Sequence, residues 1–193
     1  MVTLIPKFEK NERIPIFADK ISPDVFSGKT IEEIKNIKIF HGNTEKKIEE
    51  LFDVYGNNNE EIEIKGDVSI VREIGRKMTK GKIHIIGNAG MHLGAEMEGG
   101  EIIVEGNVDD WLGAEMKGGF IRVKGNAGNL VGAAYRGSDG GMDGGLIIIE
   151  GNAGNEVGNT MKLGTIVVYG NLGMFTGIYM KGGTIFCFGK AGK

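Results

Sequence analysis

From residue 60 onward, apolar and polar residues alternate in short bursts, each ending at a glycine. Counting back from that glycine, the second and fourth positions are apolar every time: Ile64/Ile62, Ile85/Ile83, Val104/Ile102, Val123/Ile121, Ile149/Ile147, Val168/Ile166 and Cys187/Ile185. A period of two is the signature of a strand with one face buried. The glycines themselves, Gly66, Gly87, Gly106, Gly125, Gly151, Gly170 and Gly189, are spaced by 21, 19, 19, 26, 19 and 19 residues. Nineteen is therefore the unit. The 26 contains a seven-residue insertion near Arg136 to Met142, and the 21 carries two extra residues before Gly75. Insertions at otherwise fixed phase are loops on a solenoid. Seven positions past the junction another glycine recurs (Gly94, Gly113, Gly132, Gly158, Gly177), and ten past it stands Met97, Met116, Met161 or Met180, with Tyr135 as the one substitution.

A unit this short cannot bury its own apolar face. Stacked at about 4.8 Å, each strand pairs with the one above and the one below, and stacking supplies the core. The pattern predicts a mainly β protein built as a right-handed parallel β-helix; the six-residue period of left-handed hexapeptide helices does not fit nineteen. Register then places Asn88, Asn107, Asn126, Asn152 and Asn171 above one another, predicting an asparagine ladder. Residues 1–59 have less glycine and more charge, and are expected to form a small α+β cap over the first coil, with residues 60–193 as the solenoid. Ser22-Pro23-Asp24 reads as a turn, Thr30 with Glu33 as a capping box opening a helix near Ile31 to Ile37, and Glu45 to Phe52 as a second short helix. The sequence stops at Lys193 just after Gly189 opens a new unit, so either the chain is truncated there or something else covers that end.

Composition narrows the function. Glycine at 34 residues with 3 prolines, and no three-residue period, excludes collagen and flexible linker. A formal charge of -3 with acids and bases interspersed leaves no basic stripe for nucleic acid and no polybasic segment for a membrane surface. No apolar run approaches the ~20 residues of a membrane span, the N-terminus lacks the apolar core of a signal peptide, and one cysteine cannot form an internal disulfide. A cytoplasmic location is expected.

No converging set of acids, bases or nucleophiles stands out, so no catalytic, cofactor-binding or metal-ligating residue is assigned. His41, His84 and His92 fall at unrelated phases and read as solvent-facing structural histidines; Cys187 takes an inward position and reads as a buried, inert thiol. The glycine-rich stretch from Arg136 to Gly145 lacks both the Gly-Lys-Ser/Thr end of a phosphate loop and the repeated nonapeptide of a calcium solenoid, and reads as a contact loop. A polysaccharide-cleaving β-helix would need clustered outward carboxylates, and the outward files carry Glu and Lys without such a cluster. One feature resists a bland reading. The outward strand positions run Glu63/Lys65, His84/Ile86, Ile103/Glu105, Arg122/Lys124, Ile148/Glu150, Val167/Tyr169 and Phe186/Phe188, becoming apolar toward the C-terminus. Val167, Tyr169, Phe186 and Phe188 are expected to form a docking patch, and outward Trp111 and Leu130 on adjacent coils a second contact.

The repeated Gly-Asn-Ala-Gly, as in Gly87-Asn88-Ala89-Gly90 and Gly151-Asn152-Ala153-Gly154, resembles the C subunit of formylmethanofuran dehydrogenase and, more distantly, the C-terminal glycine-repeat domain of glutamate synthase. Ile21-Ser22-Pro23-Asp24 and Gly28-Lys29-Thr30-Ile31-Glu32-Glu33-Ile34 also look like the N-terminal part of that C subunit. The resemblance implies a β-helical scaffold in a hetero-oligomeric oxidoreductase complex that reduces carbon dioxide with methanofuran to formylmethanofuran, the first step of methanogenesis. It places molybdopterin or tungstopterin, iron–sulfur clusters and zinc on partner subunits, and none in this chain. The alternative implied by the second likeness is a scaffold that organises amidotransferase domains.

Overall fold

The computed structural model describes residues 1–9, 12–57 and 60–192. The expected boundary at residues 59 and 60 and the chain's last residue, Lys193, fall at or beside positions outside the described residues. The N-terminal part contains β1 (Val2–Pro6), β2 (Ile16–Phe17), α1 (Pro23–Phe26), α2 (Ile31–Lys35), β3 (Lys38–His41), β4 (Thr44–Lys47), α3 (Ile48–Leu51) and β5 (Phe52–Gly56). The repeats supply β6 (Glu61–Lys65), β7 (Val71–Arg72), β8 (Lys82–Ile86), β9 (Glu101–Val104), β10 (Phe120–Val123), β11 (Asp143–Ile149), β12 (Leu163–Val168) and β13 (Thr184–Cys187).

The repeats stack in phase as a parallel β-helix of about 7 turns. Ile62, Ile83, Ile102, Ile121, Ile147, Ile166 and Ile185 are successive parallel partners, and so are Ile64, Ile85, Val104, Val123, Ile149, Val168 and Cys187. A second ladder links Val68, Ala89, Val108, Ala127, Ala153, Leu172 and Ala191, just past each junction. The two inward files of the strands meet the methionine file in one continuous apolar core. Space inside is tight. At Gly113 (φ +59°) a Cβ would lie 2.5 Å from the Ile147 Cδ1 tip, so this position needs glycine both for its backbone and for its lack of a side chain.

Two details of the repeat differ from the sequence reading. Tyr135 does not replace methionine in the core; Met142 does, fully buried, with its N–H donating to Gly132 O. The insertion therefore occupies 135–141. The chain loops out at the methionine position and re-enters seven residues later, and the buried cavity selects the side chain that fits it.

The N-terminal part is joined to the solenoid by hydrogen bonds. Strand β1 adds to β6 in parallel, with Val2 beside Ile62 and Leu4 beside Ile64, and β5 closes that edge antiparallel to β1. Strand β2 pairs in parallel with β7 and antiparallel with β3, which forms a hairpin with β4. The Thr30–Glu33 capping box is present: Thr30 Oγ1 accepts from Glu33 N, and Glu33 accepts from Thr30 N at 2.7 Å. Ser22-Pro23-Asp24 opens a helix and not a bare turn, because Ser22 caps α1 by accepting from Val25 N and Pro23 occupies a first-turn position that needs no N–H. The segment from Glu45 to Phe52 is helical only over α3; Glu45 to Lys47 are held extended by pairing with β3. Asp24 reaches across to accept from Thr79 N and Oγ1, tying α1 to the first coil.

Candidate partner-binding surfaces

Five residues past each junction glycine, the chain adopts left-handed backbone at residues that are not glycine: His92, Trp111, Leu130, Glu156 and Phe175, with φ between 58° and 66°. Such a conformation costs roughly 1–2 kcal/mol for a side chain bearing a Cβ. What it achieves is visible in the hydrogen bonds. His92 N donates to Asp110 O on the next coil, while Gly94 N donates to Ile74 O on the preceding one, so neighbouring amides point in opposite directions along the stack and each finds a carbonyl. The same geometry throws these side chains outward in a single file.

In that file His92 and Trp111 stack with ring centroids 6.0 Å apart. Tyr135, at the root of the insertion, joins them: its ring lies 5.0 Å from Trp111 and 5.6 Å from His92, and its hydroxyl is 3.0 Å from His92 Nδ1. Burial, reinforced by the Arg72 and Arg76 guanidinium groups, holds His92 below the usual imidazole range. Burial likewise pushes the Tyr135 hydroxyl up to about 12, with Arg76 opposing it. His92 is thus a half-buried member of an aromatic cluster, which corrects its reading as a solvent-facing residue. Trp111 and Leu130 do lie on adjacent coils of one face, both half-buried. Below the cluster Arg76 is clamped by Glu96 at 2.6 Å and Glu73 at 3.1 Å. The other two histidines are elsewhere: His84 bonds Glu105 at 2.8 Å, and His41 lies 3.7 Å from Glu12.

At the junction corner, Asn88 Oδ1 accepts from Asn107 N at 2.9 Å, Asn107 Oδ1 from Asn126 N at 2.8 Å, Asn126 Oδ1 from Asn152 N at 2.8 Å, Asn152 Oδ1 from Asn171 N at 2.8 Å, and Asn171 Oδ1 from Lys190 N at 2.8 Å. A parallel ladder three residues on was missed by the sequence reading. Asp110 Oδ1 accepts from Asn129 N at 2.6 Å, and Asn129 Oδ1 accepts from Asn155 N at 2.8 Å. Its signal was available, since these residues repeat with the spacing of the junction glycines.

The outward strand face changes character along its length. In the middle coils it is charged and cross-linked, with Lys124 to Glu105 at 2.6 Å and Arg122 to Glu150 at 2.6 Å. On the last two coils it presents Tyr169, Phe186 and Phe188, which are 53%, 51% and 68% exposed, beside half-buried Val167. Tyr169 and Phe188 stack at 5.1 Å with only 13° between their planes. At the opposite corner Met174, Phe175 and Tyr179 are also exposed, a patch that sequence reasoning missed because these residues follow no strand alternation. Cys187, expected to be buried, is half-exposed, with its Sγ 3.6 Å from Gly170 O. No described coil covers it.

Among the described residues no group of three His, Cys, Asp or Glu side chains converges as a metal site, and no helix is long and apolar enough to cross a membrane. The residues present do not fit an iron–sulfur cluster or a zinc ion: Cys187 is the sole thiol, and the three histidines lie apart, with Glu12, Glu105 and Tyr135 as their respective partners.

Fold and surface together define a glycine-repeat parallel β-solenoid with an N-terminal cap. No protein-family model matches the chain. Over 97 residues, 48% of this chain and 35% of the relative, it is 44% identical to the C subunit of the tungsten-containing formylmethanofuran dehydrogenase 2 of Methanothermobacter wolfeii. It is 46% identical, again over 97 residues, to the C subunit of the molybdenum-containing formylmethanofuran dehydrogenase 1 of Methanosarcina barkeri, covering 48% of this chain and 32% of that protein. The chain thus spans about a third of the length of the curated relatives it matches. A chain in the crystal structure of the formyltransferase/hydrolase complex from Methylorubrum extorquens, in complex with methylofuran, superposes with a TM-score of 0.85 at 26% identity, over 97% of this chain and 77% of that one. The likeness to the C subunit of formylmethanofuran dehydrogenase, read from the glycine–asparagine repeats, therefore holds in sequence over about half of the chain, and the fold is shared with a chain of the formyltransferase/hydrolase complex.

Proposed function

We propose that the chain is a structural subunit, without an active site of its own, of a cytoplasmic formylmethanofuran dehydrogenase complex. Residues 1–59 act as the cap and residues 60–193 as the platform on which the metal–pterin subunits assemble. The observation that carries this reading is the switch on one face from charges paired between coils to stacked, exposed aromatics at Tyr169, Phe186 and Phe188. Burying each such ring against a partner is worth roughly 1.5–3 kcal/mol, which is ample to order an assembly. The similarity to curated C subunits supports that identity for the assembly. The fold match to a chain of a formyltransferase/hydrolase complex favours a second reading, a scaffold in a complex of that kind.

Affinity purification of the tagged chain from its native cells, followed by native mass spectrometry, separates these readings. A molybdopterin or tungstopterin subunit is the expected companion, and the Phe186→Ser/Phe188→Ser variant is expected to lose it while keeping the circular dichroism of the solenoid. Formyltransferase/hydrolase subunits without a metal–pterin subunit would support the second reading and contradict the first; a glutaminase or flavin subunit in its place, or undiminished assembly by the double variant, would also contradict the first.

A further inference from the structure

Several outward charges of the solenoid pair from coil to coil. Lys82 meets Glu101 at 3.4 Å, Lys117 meets Glu98 at 2.9 Å, Lys124 meets Glu105 at 2.6 Å and Arg122 meets Glu150 at 2.6 Å. Glu156 does not pair in this way. Among the described residues its carboxylate accepts one side-chain hydrogen bond, from Asn159 Nδ2 at 2.7 Å, and has no cation within ion-pair distance. Its neighbours in the outward file are Leu130 and Phe175, so it belongs to no charge ladder, and it is held there in left-handed backbone at φ 58°.

The place it occupies sets it apart from the other outward acids. The coil before it, between Gly125 and Gly151, carries the seven-residue insertion, and between that insertion and the neighbouring coils lies a cleft of about 270 Å³ lined by Trp111, Leu130, Tyr135, Ser138, Glu156 and Asn159. Stacked aromatic rings, a carboxylate without a counter-ion and amide and hydroxyl groups thus share one concavity. That combination suits a planar cation: a guanidinium can lie against an aromatic ring while donating in parallel to a carboxylate, and it sheds its weakly held water more readily than an ammonium does. Arg136, on the exposed part of the insertion, lines the same cleft but makes no ion pair with Glu156, and acts as a like charge at the rim.

We propose that this cleft receives an arginine side chain of a partner protein, with Glu156 as its carboxylate and Trp111 and Tyr135 as its aromatic wall. The inference rests on the reading of the chain as a scaffold. It deepens that reading by giving a second contact, on a different face from Phe186 and Phe188, a defined chemistry.

Trp111 is the only tryptophan, so its fluorescence reports on the cleft directly. Titrating the full chain with acetyl-Gly-Arg-Gly-amide is expected to give a saturable change in emission, and the peptide carrying neutral citrulline in place of arginine none. Glu156→Gln, which keeps an oxygen to accept from Asn159, is expected to weaken the response about tenfold, and Arg136→Gln to strengthen it by removing the competing charge. In complexes purified with their partners, Glu156→Gln is expected to lower retention under a salt wash several-fold. Absence of a saturable change, an equal response to the citrulline peptide, or an unaltered response or retention in Glu156→Gln overturns the proposal. The peptide titration needs no partner subunit, so its failure is distinct from a failure of the assembly to contain the expected companions.

Discussion

The two ends of the solenoid are built from the same kind of strand and end differently. At the N-terminal end β1 adds a rung to β6, β5 closes over β1, and Val2, Leu4 and Phe52 are fully buried. At the other end β13 repeats the sequence pattern of β12, yet Ile166 and Val168 are sealed while Ile185 and Cys187, their partners one coil on, are only half-buried. An inward position is therefore only a potential. It becomes core when a further rung is stacked on it, as expected of a structure whose stability is a sum of contacts between neighbouring coils. The exposed aromatics collect on the last described coils and the paired charges on the coils before them.

Substitutions at equivalent positions sharpen the contrast. Ile102→Ala, in the sealed middle, should cost about 2–5 kcal/mol, whereas Ile185→Ala on the last coil should cost about 1 kcal/mol or less; shifts in the denaturant midpoint measure both, and equal shifts would remove the difference between the two ends. Glycines offer the next test. Gly113→Ala combines a left-handed backbone with a Cβ driven into Ile147, about 2–4 kcal/mol together. Gly177→Ala has the same backbone (φ +70°) but meets only Met180 Sδ at 3.6 Å, so the cost should fall to about 1 kcal/mol. Smallest is the ladder. Asn126→Ala removes the acceptor for Asn152 N and Nδ2 and the donor to Asn107 Oδ1, about 1 kcal/mol at this exposed corner. Asn171→Ala leaves only Lys190 N without its acceptor and should cost less, as thermal unfolding of the two variants can establish.

Much of this was readable from the chain. The glycine junctions hold their phase, so the apolar pairs before them fall into register, and the same spacing aligned the five asparagines. What could not be read has physical causes. The left-handed file of His92, Trp111 and Leu130 carries no glycine to announce it; stacking between coils holds those residues in a conformation their own preferences disfavour. Tyr135 and Met142 compete for one position, and only the interior decides between them. Strand β2 is too short to show a period and is held by pairing with Val71 and Arg72 on one side and with β3, itself hairpinned to β4, on the other. The aromatic cluster around His92 depends on a loop closing back on the coil, a contact between residues 43 positions apart.

Amide hydrogen exchange over residues 184–189, measured on the free chain and on the chain in its native assembly, tests the central claim most directly. The account predicts rapid exchange at this last strand when the chain is alone and strong protection when partners are bound, with the middle strands β9 and β10 protected in both. Exchange at 184–189 that is the same in the two states would mean that the aromatic end is not where the solenoid meets its partners.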